Sequence, residues 1–197
     1  MPTGMALLDP REQLFAAAGR VLVRDGPSAL TSRAVVAEAG VAKGVLHRHF
    51  ATFDEFLADY VNAHVERVEA HVNEATDAVG TRTVRGILVD LLVGIFDAET
   101  LGAVAIVTSR DAVRARLRDG LPFGIPLLAQ ATSGIDDYLV REQAADRIAQ
   151  SADVNALALS LVGTGHLLFA GKLGATPDRG AVDEIVESII VGALRAT

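Results

Sequence analysis

Apolar positions recur along this chain at three- and four-residue spacing almost throughout, and no stretch alternates with the two-residue period of a half-buried strand. Leu14, Phe15, Ala18, Val21 and Leu22 define a first helix. It opens at Asp9-Pro10, with Asp9 as N-cap, Pro10 at the first helical position and Glu12 placed for a capping box, and it closes at Gly26-Pro27. A second pattern, Val35, Val36, Ala39, Val41, Val45 and Leu46, keeps helical spacing but breaks at Ala39-Gly40-Val41, where Gly40 supplies the left-handed residue of a tight turn. Residues 31–50 therefore predict two short helices joined at a glycine, the first capped by Thr31 and the second spanning about residues 42–50. That is a helix-turn-helix.

Thr52 and Glu55 form another capping box and start a long helix expected to reach about residue 79, with Leu57, Val61, His64, Val65, Val68 and Val72 facing inward. Val84, Ile87, Leu88, Leu91, Leu92, Ile95 and Phe96 give the next helix a wide apolar stripe. An apolar stretch at 101–107 precedes a basic helix whose Arg110, Arg114, Arg116 and Arg118 read as a solvated face. The breaker cluster at 120–126 is apolar, and covers either the core or a cavity mouth. Two final helices, 154–172 and 177–195, are apolar on more than one side. Ala156, Ser160, Gly163 and Ala170 on the first leave room for a second backbone to approach.

Composition narrows the class. A chain of 197 residues holds one or two domains, and 50% apolar with 22% charged residues excludes disorder. The absence of cysteine removes disulfides and thiolate zinc sites. The run 154–171 is long enough to raise the question of a membrane span, but Asn155, Ser160, Thr164, His166 and three glycines favour a buried helix and no membrane partner. The N-terminal residues show no positively charged leader, so the expected location is cytoplasmic.

The formal net charge of −7 argues against a nucleic-acid partner until its distribution is considered. Residues 1–50 hold six Lys/Arg against four Asp/Glu, and residues 51–197 hold twelve against twenty-one, so a basic module sits on an acidic body. On the second short helix, Lys43, Gly44, His47 and Arg48 are the groove-facing candidates: a cation addresses guanine acceptors and glycine lets the backbone come close. The Thr31 hydroxyl, at an exposed helix N-terminus, suits a phosphate. His47 and His49 cannot share a metal, because residues two apart on a helix point about 200° from one another. No catalytic residue, cofactor or metal ligand is expected, since nucleophile elbow, P-loop, HExxH and cysteine motifs are all missing.

Arg24-Asp25-Gly26, Thr31, Val35, Ala39-Gly40-Val41, Gly44, Leu46 and His49-Phe50 stand in a register that resembles the TetR family of transcriptional regulators. The resemblance covers about fifty residues without gaps and departs at Val45, where the family has Thr, and at His47 and Phe53, where it has a phosphate-contacting Tyr and Lys. It implies an all-α protein: an N-terminal three-helix DNA-binding module with a helix-turn-helix at residues 1–52, then a larger helical ligand-binding and dimerisation domain at 53–197. The DNA-binding residues it implies are Thr31, Ser32, Arg33, Lys43, Gly44, Val45, His47 and Arg48, with His49 packed inside the module against Phe50. The implied partners are double-stranded operator DNA, a small-molecule effector and a second copy of the chain held through the last two helices.

Aromatic and polar residues on otherwise apolar helices, His64, Phe96, Phe123, Tyr138, Asn155, His166 and Phe169, are the expected effector contacts. The scarcity of Lys and Arg there favours a largely apolar molecule. The expected activity is that of a repressor released from a palindromic operator by this molecule. The alternative is an all-α small-molecule-binding or interaction protein whose helix-turn-helix has weakened or lost DNA binding.

Overall fold

The computed structural model describes residues 9–117, 124–171 and 176–195. Among these, the chain forms ten α-helices: α1 (Pro10–Asp25), α2 (Ser32–Ala39), α3 (Gly44–His49), α4 (Phe53–Asp77), α5 (Val84–Ile95), α6 (Ala98–Ser109), α7 (Asp111–Leu117), α8 (Leu128–Ala144), α9 (Val154–Phe169) and α10 (Arg179–Ile190). The expectation of an all-α fold holds, and the predicted capping side chains of Asp9, Thr31 and Thr52 are used as such. Asp9 Oδ1 accepts from Arg11 N, Thr31 Oγ1 from Ala34 N and Thr52 Oγ1 from Glu55 N. Glu55 reaches back to the amide of Ala51, at 2.9 Å, so the second box closes one residue earlier than its usual form. Gly40 is left-handed at φ 66° and turns α2 into α3.

The N-terminal helices and the rest share one core. Helix α1 packs on α2 and also on α6, while α4, about 37 Å long at 1.5 Å per residue, contacts α5, α6, α7 and α8. Glycine permits the α1/α6 approach: a Cβ on Gly102 would stand 2.4 Å from a methyl of Leu22. Phe15, Phe50, Phe53, Phe56 and Tyr60 form an aromatic cluster with ring centroids 5.1–6.2 Å apart, joining α1, the end of α3 and the start of α4. Phe53 stacks on Phe56, as its apolar character at an exposed helix start requires.

Two expectations about the later helices are corrected. The last helix ends at Ile190, not at 195, because the chain beyond it pairs with the segment after α8: Ala149 N donates to Ala193 O and Arg195 N to Arg147 O. Arg110 does not belong to a solvated face, since its side chain reaches back to Leu30, Phe53 and Asp54. Arg118 and most of the breaker cluster lie outside the described residues. No single described helix is long and apolar enough to cross a membrane, and α9, the run that raised the question, has 16 residues.

Candidate nucleic-acid interface

Helix α3 has only six residues and no stability of its own, so its position is set by what holds it. Leu46 is fully buried beneath it and Phe50, at 3% exposure, locks its C-terminal end into the aromatic cluster. The preceding helix is fixed from α1. Gln13 Nε2 donates to the Ala39 carbonyl at 2.9 Å, at the turn itself, and Arg20 and Arg24 both bond the carboxylate of Glu38 at 2.7 and 2.9 Å. The guanidiniums, Arg20 first, hold the Glu38 carboxyl below its ordinary range.

These pairs also sort the charges. Of the six cations in residues 1–52, Arg11 is paired with Asp59, Arg20 with Glu38, and Arg24 with Asp25 and Glu38. The other three, Arg33, Lys43 and Arg48, are exposed and make no ion pair among the described residues. Arg33 and Lys43, with Ser32 and His47, line one cleft of about 550 Å³ floored by Val36, Val41 and Leu46, while Arg48 is exposed on α3 and is not part of that lining. Gly44 is exposed at the start of α3 and has open space where a Cβ would stand. Thr31 is exposed while capping α2, which leaves its hydroxyl hydrogen free to donate outward. Val45 is half-buried and turns partly inward.

The expected placement of His49 is corrected. It is exposed, with its ring 6.5 Å from that of Phe50, so Phe50 enters the aromatic cluster without it, and three successive basic or titratable side chains, His47, Arg48 and His49, are open to solvent. Among the described residues, no group of three His, Cys, Asp or Glu stands together in a way that could hold a metal ion.

The expected effector residues are dispersed. Phe96, buried at 2%, stacks on Phe169 at 5.8 Å with the His166 ring 6.3 Å away, so these three form one aromatic group between α5 and α9. His64 lies elsewhere, on α4, with Nδ1 2.9 Å from the Tyr60 carbonyl and Nε2 3.5 Å from Glu99. Tyr138 is buried on α8, one turn before Glu142. Asn155 is exposed on the outer face of α9, and Phe123 lies outside the described residues. A cleft of about 770 Å³ opens instead at the far end of α4, lined by Arg82, Arg85, Asp146, Arg147 and Arg195. Arginine in that cleft went unread in the sequence because its members come from three distant segments.

Comparison with known proteins agrees with the N-terminal resemblance. Residues 14–60 match the model of the bacterial regulatory proteins, tetR family. No curated protein matches the chain. Among solved structures, the fold is similar to that of a transcriptional regulator from Rhodococcus sp. Rha1, 21% identical with a TM-score of 0.67, over 95% of this chain and 99% of that one. It is also similar to a TetR-family transcriptional regulator from Haemophilus influenzae RD, 17% identical with a TM-score of 0.60, over 95% and 100%. A third, the multidrug binding protein EbrR complexed with imidazole, is 17% identical with a TM-score of 0.59, over 96% and 97%.

Proposed function

We propose that this chain, whose residues 14–60 match the model of the tetR family of bacterial regulatory proteins, is a member of that family and a homodimeric repressor that leaves a palindromic operator when a small, largely apolar molecule binds its helical C-terminal domain. The observation that carries the DNA-binding part is the sorting of charge. In an acidic protein, ion pairing neutralises each module cation except Arg33, Lys43 and Arg48; all three are exposed on or beside α2 and α3, and Arg33 and Lys43 line one cleft. Unpaired cations are the ones free to release counterions from phosphate, and Gly44 lets α3 approach base edges.

Dimerisation is supported by α9. Leu159 and Leu167 are 57% and 52% exposed, and with Asn155 and Gly163 they mark a stripe at four-residue intervals along one helix. A second copy covering that stripe places two α3 helices about a two-fold axis, to read half-sites about 34–36 Å apart or a multiple of that. The effector part rests on the Phe96, His166 and Phe169 group, where α5 and α9 meet and where an apolar ligand would change how the dimer helices sit. The neighbour EbrR, with imidazole bound, is consistent with a ligand site in such a fold. An enzymatic role has no support in residue grouping, and the chain is read as a regulator without catalysis.

The test is a gel-shift titration on the DNA upstream of its own gene at several salt concentrations. Lys43→Ala and Arg48→Ala each weaken binding and flatten the salt dependence by about one phosphate contact. Unchanged affinity in both variants rejects α3 as the reading helix.

A further inference from the structure

Arg110 ends α6 with its backbone in an extended conformation, so the chain turns there into α7 and the side chain leaves the C-terminal domain. It reaches both joints of the N-terminal module. Nη2 donates to the Leu30 carbonyl at 3.0 Å, and Leu30 is the residue just before Thr31, the cap of α2. The guanidinium carbon stands 5.6 Å over the ring of Phe53, the first residue of α4, and Nη1 lies 3.7 Å from Asp54. Leu30 is itself fully buried, so its carbonyl is rigidly tied to the module core, and the Arg110 side chain is 31% exposed, enough desolvated for a charge-assisted bond to count.

We propose that Arg110 is a positioning residue that clamps the helix-turn-helix to the C-terminal domain without touching DNA. Only a planar, multi-donor cation can hold a carbonyl, a carboxylate and an aromatic face together, and lysine cannot replace it. A shift of α6 along α1 is then passed to the start of α2 and the start of α4 at once, the two ends of the unit that carries α3. The close seat of Gly102 against Leu22 keeps α6 from moving without α1. The clamp stands on geometry alone; its consequence for DNA affinity rests on the regulatory reading given above.

Amide hydrogen exchange on the full chain, without DNA, tests the clamp. In Arg110→Ala the first-turn amides of α2, Ala34 and Val35, exchange about tenfold faster, as expected when one charge-assisted bond is lost, while α9 is unchanged. Arg110→Gln, which keeps a donor, and Arg110→Lys recover part of the protection at most. Equal exchange in α2, or equal acceleration in every helix, overturns the clamp. A DNA arm follows, on duplexes selected by the wild type from a random pool. Arg110→Ala binds about tenfold more weakly with the same salt slope; a slope smaller by about 0.9 makes Arg110 a phosphate contact and overturns the positioning role. If the wild type selects no duplex, the DNA-binding reading fails, and the exchange result alone still decides the clamp.

Discussion

Glu38 is the acid that decides whether α2 presents a cationic face, and two arginines from α1 consume its charge. Its folded carboxyl lies below the ordinary value of 4.5 because Arg20, then Arg24, bond the ionised form. A depressed carboxyl contributes stability that is present above the unfolded value and is lost as pH falls through the folded one. Glu38→Gln therefore lowers the thermal midpoint at neutral pH, and the gap from wild type closes as the pH is taken below about 4. A gap that persists at acid pH locates the effect elsewhere. At this scale, the residues legible in sequence were those whose chemistry is local: Thr31 and Thr52 as caps, Gly40 in its left-handed turn. Arg110 and His49 were misplaced because neither role is local. The first depends on a contact eighty residues away and the second on which side of Phe50 the ring falls.

Element boundaries followed apolar spacing wherever a helix packs on the core, and failed where the chain makes long-range backbone pairs. The end of α10 is the clear case, since Ala193 and Leu194 continue the helical pattern yet Ala193 O accepts from Ala149 N and Arg195 N donates to Arg147 O. That junction holds the most buried charge described: Glu142 is 0% exposed and is gripped by Arg147 through two bonds of 2.6 Å, while Arg147 Nη1 also donates to the Arg82 carbonyl. Arg147→Ala strands the carboxylate and destabilises the fold by about 3–5 kcal/mol in denaturant unfolding. Replacing both partners by apolar residues of similar size recovers most of that loss, because the desolvation of Glu142 disappears with its charge.

For the whole molecule, the all-α class, the helix-turn-helix and the exposure of Lys43 and Arg48 were readable from spacing and charge. The effector site was not: its proposed members are brought together from α5 and α9 only by packing, and Asn155, counted among them, sits on the outer stripe. The stripe itself gives the prediction proper to this scale. Leu159→Glu places a charge in the proposed two-fold contact and shifts the sedimenting species from dimer to monomer, with helix content unchanged. A wild type that sediments as a monomer at every concentration removes the dimer from the account.

In the proposed function, Arg33, Lys43 and Arg48 are unpaired because they meet DNA phosphates and bases. That role is tested most directly by the salt slope of duplex binding for the wild type and for the triple alanine variant of these three residues. The wild type is expected to show a steep slope, and the variant a slope lower by about 0.9 for each cation that meets a phosphate, with a loss of sequence preference. Equal slopes and equal preference in the two proteins contradict it.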